Sequence, residues 1–480
     1  MFRVGKSFID DRRLLKVSLI TMSIVLIALV YAFTFSIWGI TAGVGIIMIL
    51  SVPTVIFCIV RYPRFGVIFY LVLAYIIMYV LGFGIDFPIG TLMDGILLLL
   101  IISLFISQKI RPQWGIFNNS VSVIILVWIV YNLVQIANPA AESRLAWLYT
   151  IRSVAGVMLS YFIFNQYLNS KSFIRLIVKL WLALSLFAAL YALKQEYIGF
   201  FEYEQRALDS NPILRSLLFI NGQWRKSSIF SDPVAFSYNM VASAILCISL
   251  IFGPISRKQK VILGAFAGLF LYVMLFSGTR AAYVLIPVSM ILLFILKFNR
   301  TMLIYSMVFA FFMAGLIFMP SSSPSIQRFQ SAFRPSEDAS YNVRATNQKR
   351  IQPFILSHPL GGGLGATGVW GVRFAPYSFL AQFPPDSGYV RVAVELGWIG
   401  LFLICTLFFI VLKTGIENYF VIQDPELKTY CLAAVLIIFA ISVGNFPQEA
   451  IVQFPLSVYF YLLIAIINVC RRLDESPTQL

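Results

Sequence analysis

The chain has 480 residues, 60% of them hydrophobic and only 12% charged, with a mean hydropathy of +0.88. So little charge excludes a soluble globular domain of this length, and continuous apolar runs near 20 residues argue against a barrel, whose strands alternate inward and outward. The net charge of +16 does not point to nucleic acid, because Lys and Arg in a polytopic protein anchor cytoplasmic loops beside anionic lipid.

From the N-terminus, MFRVGKSFIDDRRLLK reads as a cytoplasmic tail before a retained first helix, since no small-residue cleavage site follows the first apolar run. Fourteen candidate spans follow, at roughly 17–35, 39–60, 65–83, 88–107, 119–137, 146–168, 176–196, 233–253, 261–278, 281–298, 301–319, 397–413, 427–446 and 451–470. Each is near the length a helix needs to cross hydrocarbon. The expected fold is all-α: a polytopic helical membrane protein of about 14 transmembrane helices with one large extracytoplasmic loop containing short helices. Its parts are residues 1–320 (helices 1–11, with an outer loop at about 197–232), a loop at 321–396, and residues 397–480 (helices 12–14 and a short cytoplasmic tail).

Charge sets the orientation. With the N-terminus inside, the alternate inner segments carry 21 of the 36 Lys and Arg, as the positive-inside rule requires. Twelve more fall in or at the edge of the two long outer segments, 197–232 and 321–396. Either these serve something other than topology, or the long loops cross regardless of charge. Arg152 lies within the sixth span and Arg280 at the outer junction of the ninth and tenth. An arginine at such depth pairs with a carboxylate, snorkels, or faces a wet functional cavity. The five cysteines fall in or at the end of apolar spans without a CxxC pair, so they read as small buried residues rather than a disulfide frame or metal site.

Four patterns converge on the outer side. GQWRKSSIFSDPVAF at 222–236 brings Arg225 and Lys226 to a helix start that Asp232 can cap. SGTRAAY at 277–283 holds Arg280 between small residues. NVRATNQKRIQPFILSHPLGGGLGATG at 342–368 starts an amphipathic helix with Arg344, Lys349 and Arg350, ends it at His358 and Pro359, and continues in a glycine-rich turn. The GxGxxG match at 363–368 lacks a strand–turn–helix frame and reads as a turn needing positive φ, not a dinucleotide site. PPDSGYVRVAVELGWIGL at 384–401 places Asp386, Tyr389 and Arg391 near the membrane surface. Asp386 can cap the helix that follows, act as a base, or both.

Guanidinium is planar and grips two phosphate oxygens at once, so clustered arginines suit a diphosphate. Asp386 and His358 are the groups able to remove a proton there. A diphosphate leaving group and a sugar hydroxyl nucleophile would give glycosyl transfer, with arginines instead of a metal steadying the departing charge. Composition and spacing do not single out this reaction.

The order of motifs resembles the bacterial O-antigen ligase and O-antigen polymerase superfamily. Arg225 with IFSDP, GTRAA at 278–282, Arg344 with HPLGGGLG at 358–365, and Asp386-Ser-Gly-Tyr-Val followed by Glu395, Gly397, Gly400 and Leu401 match its motifs in sequence. The ligases carry histidine where this chain has Asp386, which favours a polymerase-like member. The resemblance implies a glycosyltransferase of the bacterial cytoplasmic membrane, active on the extracytoplasmic face. It would need no metal, cofactor or nucleic acid. Its donor would be an undecaprenyl-diphosphate-linked saccharide and its acceptor another repeat unit, or lipid A-core or a protein for a ligase. Membrane lipid, a flippase and a chain-length regulator are the expected partners. The expected site is Asp386, Arg280 and His358 for chemistry, with Arg225, Arg280, Arg344, Arg350 and Arg391 on the diphosphate. A transporter of lipid-linked sugars and an envelope scaffold are the rival classes.

Overall fold

The computed structural model describes residues 22, 51–82, 89–210, 212–220, 222–321, 324–334 and 339–475. The chain divides into two compact units at Phe65/Gly66. In the first, the described residues include helix α1 (Ser51–Arg61) and the start of α2 (Pro63–Leu81). The rest concerns the second unit.

Among its described residues that unit is helical, with strand confined to a two-residue antiparallel pair, β1 (Phe219–Ile220) and β2 (Gln223–Trp224). Its helices up to the first outer segment are α3 (Ile89–Ile110), α4 (Ser120–Val134), α5 (Arg144–Ile151), α6 (Ser160–Tyr167), α7 (Lys171–Tyr197), α8 (Glu202–Ser210) and α9 (Pro212–Leu218). After the hairpin come α10 (Pro233–Ile251), α11 (Arg257–Met274), α12 (Arg280–Leu296), α13 (Arg300–Phe318), α14 (Pro324–Ser331), α15 (Ala339–Ser357) and α16 (Gly368–Phe374). The chain closes with α17 (Gly388–Val421), α18 (Pro425–Gly444) and α19 (Leu456–Glu475). Side-chain caps mark many starts: Asn119 for α4, Ser170 for α7, Asp232 for α10, Ser256 for α11 and Asp424 for α18. Each accepts from backbone N–H groups that have no intrahelical partner.

Eleven helices among the described residues are long and apolar enough to cross a membrane. The expected count of about fourteen is not confirmed on the described residues. The span read at 17–35 lies outside the described residues apart from Met22, and that at 39–60 is described only from residue 51. The span read at 281–298 is the 17-residue α12. The span read from 397 starts at Gly388, because one helix runs through a kink at Gly397.

The centre of the bundle is α10, α18 and α19, of whose spans 78%, 83% and 78% is buried, whereas α13 is only 6% buried. Its neighbours are α12 and α14, and its apolar outer face is what a helix shows to lipid. Small polar groups bind the interior. Ser185 lies 2.8 Å from both the Tyr75 hydroxyl and Ser243, and the Trp181 indole donates to Ser243 at 3.1 Å, bonds that hold helices together where water is absent. Arg152 takes the structural alternative and pairs with Asp94 at 3.0 Å. Cys405 departs from the reading of buried cysteines: it is exposed on the bundle surface, and Cys58 is half-buried.

The two ends of the bundle differ. At one, the starts of α7 and α18 meet the α10–α11 link around a cavity of about 470 Å³ bearing Arg175, Lys179 and Glu426. There Lys171 pairs with Asp424 at 2.5 Å and Arg175 grips Glu426 at 2.7 and 2.9 Å. At the other end, Tyr238 of α10 donates to Gly444 O at the close of α18 (2.8 Å), and Gly388 N of α17 donates to Asn445 O (2.9 Å). The segments carrying the four motifs meet at this second end.

Candidate functional site

The site is built on a turn. After Ser277 the backbone turns through Gly278 with φ +58°, a region glycine enters without strain. A Cβ there would lie 2.9 Å from Arg328 Nε. Three segments are stitched around this turn. Arg225 Nε donates to Ser277 O at 2.8 Å and its Nη2 to Thr279 Oγ1 at 3.2 Å. Thr279 Oγ1 donates to Pro233 O at 3.2 Å, and Arg328 Nε donates to Gly278 O at 2.8 Å. Arg280 is the first residue of α12, so its charge adds to the positive end of a helix dipole. Burial above all, then the nearby Arg328, push the Arg225 pKa down to about 10, against upward pulls from Asp232 and Tyr283. A cation depressed in this way is one that a bound anion would relieve.

Arg280 and Arg344 line one cavity of about 500 Å³ between α12, α17 and α18. Tyr389 shares its wall and is held by donating to Ser442 O at 2.7 Å. Beyond the arginines the wall turns apolar, with Val284, Leu285, Leu412 and Phe439. The cavity is thus cationic at one end and hydrocarbon-like along the rest, the shape of an anionic amphiphile.

The glycine-rich turn serves to dock this end of the bundle. At Gly397 (φ +69°) α17 breaks, which releases backbone carbonyls from their helical partners. Gly362 N takes Val394 O and Gly363 N takes Glu395 O, both at 2.9 Å, while the Tyr131 hydroxyl takes Leu396 O at 2.7 Å. The buried Glu395 carboxylate accepts from Gly365 N (3.0 Å), Thr367 N (3.2 Å) and Thr367 Oγ1 (2.5 Å). The GxGxxG match is therefore a positive-φ turn, with Gly361, Gly363, Gly365 and Gly368 all at φ between +67° and +96°. Gly361→Ala would place a Cβ 2.4 Å from Gly397 N at φ +72°. The expected outcome is a loss of about 2–4 kcal/mol of stability, read as a lower melting temperature in detergent.

Arg391, read as a phosphate contact, reaches two carboxylates, Glu395 at 3.1 Å and Glu449 at 2.6 Å. It lies beside a second, smaller cavity. Arg350 is exposed, with its guanidinium 5.4 Å from the Phe379 ring centre. His358 stacks on Phe354 at 4.1 Å, and its Nδ1 lies 2.9 Å from Ser357 Oγ and 3.0 Å from Phe354 O. Asp386 is half-buried three residues before Tyr389. It does not cap α17: Ser387 does, accepting from Val390 N.

Three residues of this end escaped the sequence reading as site candidates. Arg328 sat among loop arginines with no motif to mark it. Glu395 was visible only as one letter of a family motif. Glu449 lies in the short 447–450 link, where nothing distinguished it. Burial raises the Glu449 carboxyl above its ordinary range, and Arg391 pulls the other way.

Fold and site together define a multi-pass helical membrane protein with an arginine-lined cavity at one end of its bundle. Residues 265–405 match the family model described as O-antigen ligase. The matched segment holds the SGTRAAY turn, the glycine-rich turn, Asp386 and Glu395. This match supports a place for the chain in the O-antigen ligase and polymerase superfamily and indicates a membrane function like that of its ligases or polymerases. No curated protein matches the chain significantly.

Proposed function

We propose that the protein polymerises oligosaccharide repeat units carried on a polyprenyl diphosphate, on the extracytoplasmic face of the bacterial cytoplasmic membrane. The observation that carries this reading is the single cavity in which Arg280 and Arg344 stand above apolar walls. Arg280 and Arg344 bind the donor diphosphate, and Arg225 holds the turn that presents Arg280. The acceptor hydroxyl oxygen forms a bond to the donor's anomeric carbon. The bond from that carbon to the diphosphate oxygen breaks, and its electron pair leaves with the diphosphate. The hydroxyl proton passes to Asp386. Guanidinium groups fixed where negative charge develops stabilise the departing diphosphate without reorganising at the moment of reaction.

Purified protein given a lipid-linked repeat unit should lengthen its glycan by whole units, read by mass. Unchanged glycan mass would remove the transferase reading and favour a transporter. Glycan moved onto lipid A-core alone would identify a ligase. In the same assay Asp386→Asn should slow extension by about 10²–10⁴-fold, the range for loss of a general base; full activity would take Asp386 out of the mechanism.

A further inference from the structure

We propose a second binding site for a polyprenyl diphosphate on the opposite flank of α12, with its lipid tail in the groove between α11, α12, α13 and α14 and its diphosphate at Arg328. This rests on the function proposed above. Below Arg280, the apolar wall of the first cavity uses Ala281, Val284 and Leu285 of α12. The second groove, of about 370 Å³, uses Tyr283, Ile286 and Pro287. Two residues separate these sets, which on a helix is rather more than half a turn, so they occupy opposite faces.

The groove is almost wholly apolar, bounded by residues such as Leu271, Phe312 and Phe329. From Gly268 to Met274 it follows α11 for about 9 Å, and Leu275 continues its wall just past the helix end. Hydrocarbon walls alone would suit any membrane lipid. What selects the occupant is the rim. Arg328 Nε is fixed on Gly278 O, three residues past Leu275, and Ile326 and Phe329 of the same short helix line the groove. Arg225 Nε and Arg328 Nε both bond the backbone of the Ser277–Gly278 turn, and Arg280 starts α12 directly after it, so the three guanidiniums gather at this rim. An apolar trough ending under clustered guanidiniums complements an isoprenoid chain with a multiply charged head. A polymerase handles two such molecules, the donor's carrier and the acceptor's carrier, and two troughs sharing one arginine-rich rim can hold both.

The test is native mass spectrometry of the full-length protein in detergent with undecaprenyl diphosphate as probe. Wild type is expected to take up two molecules, and Gly268→Trp and Val284→Trp one each. The Gly268 Cβ direction is open, with nothing within 4 Å, so the indole fills the groove without forcing the backbone. Arg328→Gln, which leaves the groove open, should weaken one of the two binding events by about tenfold. One bound molecule, lost in Val284→Trp but not in Gly268→Trp, would overturn the second site and leave the donor reading standing. No bound molecule would instead sink the donor reading. Displacement of the second molecule by phosphatidylglycerol at equal concentration would also overturn the proposal, because the groove would then be an ordinary lipid contact. A saccharide-bearing probe separates the two sources: preference for it marks an acceptor site, and preference for the bare diphosphate marks a site for the departing carrier.

Discussion

Arg280→Lys is expected to lower glycan extension by about 10²–10³-fold, the range for loss of one fixed donor to developing negative charge. The substitution keeps the charge, the position at the start of α12 and a long flexible stem. What it removes is the planar fork that meets two diphosphate oxygens together. The loss should appear in kcat more than in KM, because charge on the diphosphate grows as the bond to sugar breaks. Arg280 shares its cavity with Arg344, so the double Lys variant should lose less than the product of the two single losses. A rate within about twofold of wild type for Arg280→Lys would show that charge alone suffices and would end the clamp proposal.

Glu395→Gln is expected to destabilise the folded protein by about 3–5 kcal/mol, the range for breaking a buried ion pair. Glu395 is 2% exposed and serves four donors: Gly365 N, Thr367 N, Thr367 Oγ1 and Arg391 Nε. The amide keeps one acceptor oxygen and turns an NH₂ towards donors that have nothing to receive. It also leaves Arg391 with Glu449 alone. Thermal unfolding in detergent, followed by size-exclusion profile, reads the effect. Arg391→Met combined with Glu395→Gln should cost less than the sum of the single changes, because the two share one network. Additive losses would mean that the contacts seen here act independently.

Gly397 shows how far a sequence reading goes and where it stops. Its neighbours Glu395, Gly397 and Gly400 fit a family pattern as letters, but their purpose is invisible in one dimension. The purpose lies in a meeting of residues about 35 apart. A helix broken at Gly397 exposes carbonyls, and a glycine turn from 361–365 approaches closely enough to bond them. Arg391 shows the same limit from the other side. In sequence it is one more arginine near the membrane surface. Its i+4 partner Glu395 is within reach of a local reading, but its second partner, Glu449, stands 58 residues away, and no local pattern joins those two. Asp386 was a fair candidate for the α17 cap, since Asp and Ser compete for that position; Ser387 took it.

The sequence by itself determined the helical, membrane-spanning character of this protein, most of its helical spans, and the grouping of its four motif segments at one end of the bundle. Apolar run length, charge bias and capping residues are local properties, and hydrocarbon leaves a chain few ways to satisfy its backbone. Only the tertiary structure decided which arginines share a cavity, which are bound to carboxylates, and that α12 has a groove on each flank. Those outcomes depend on helices from distant parts of the chain arriving at one place, and residue spacing along the chain carries no record of that arrival.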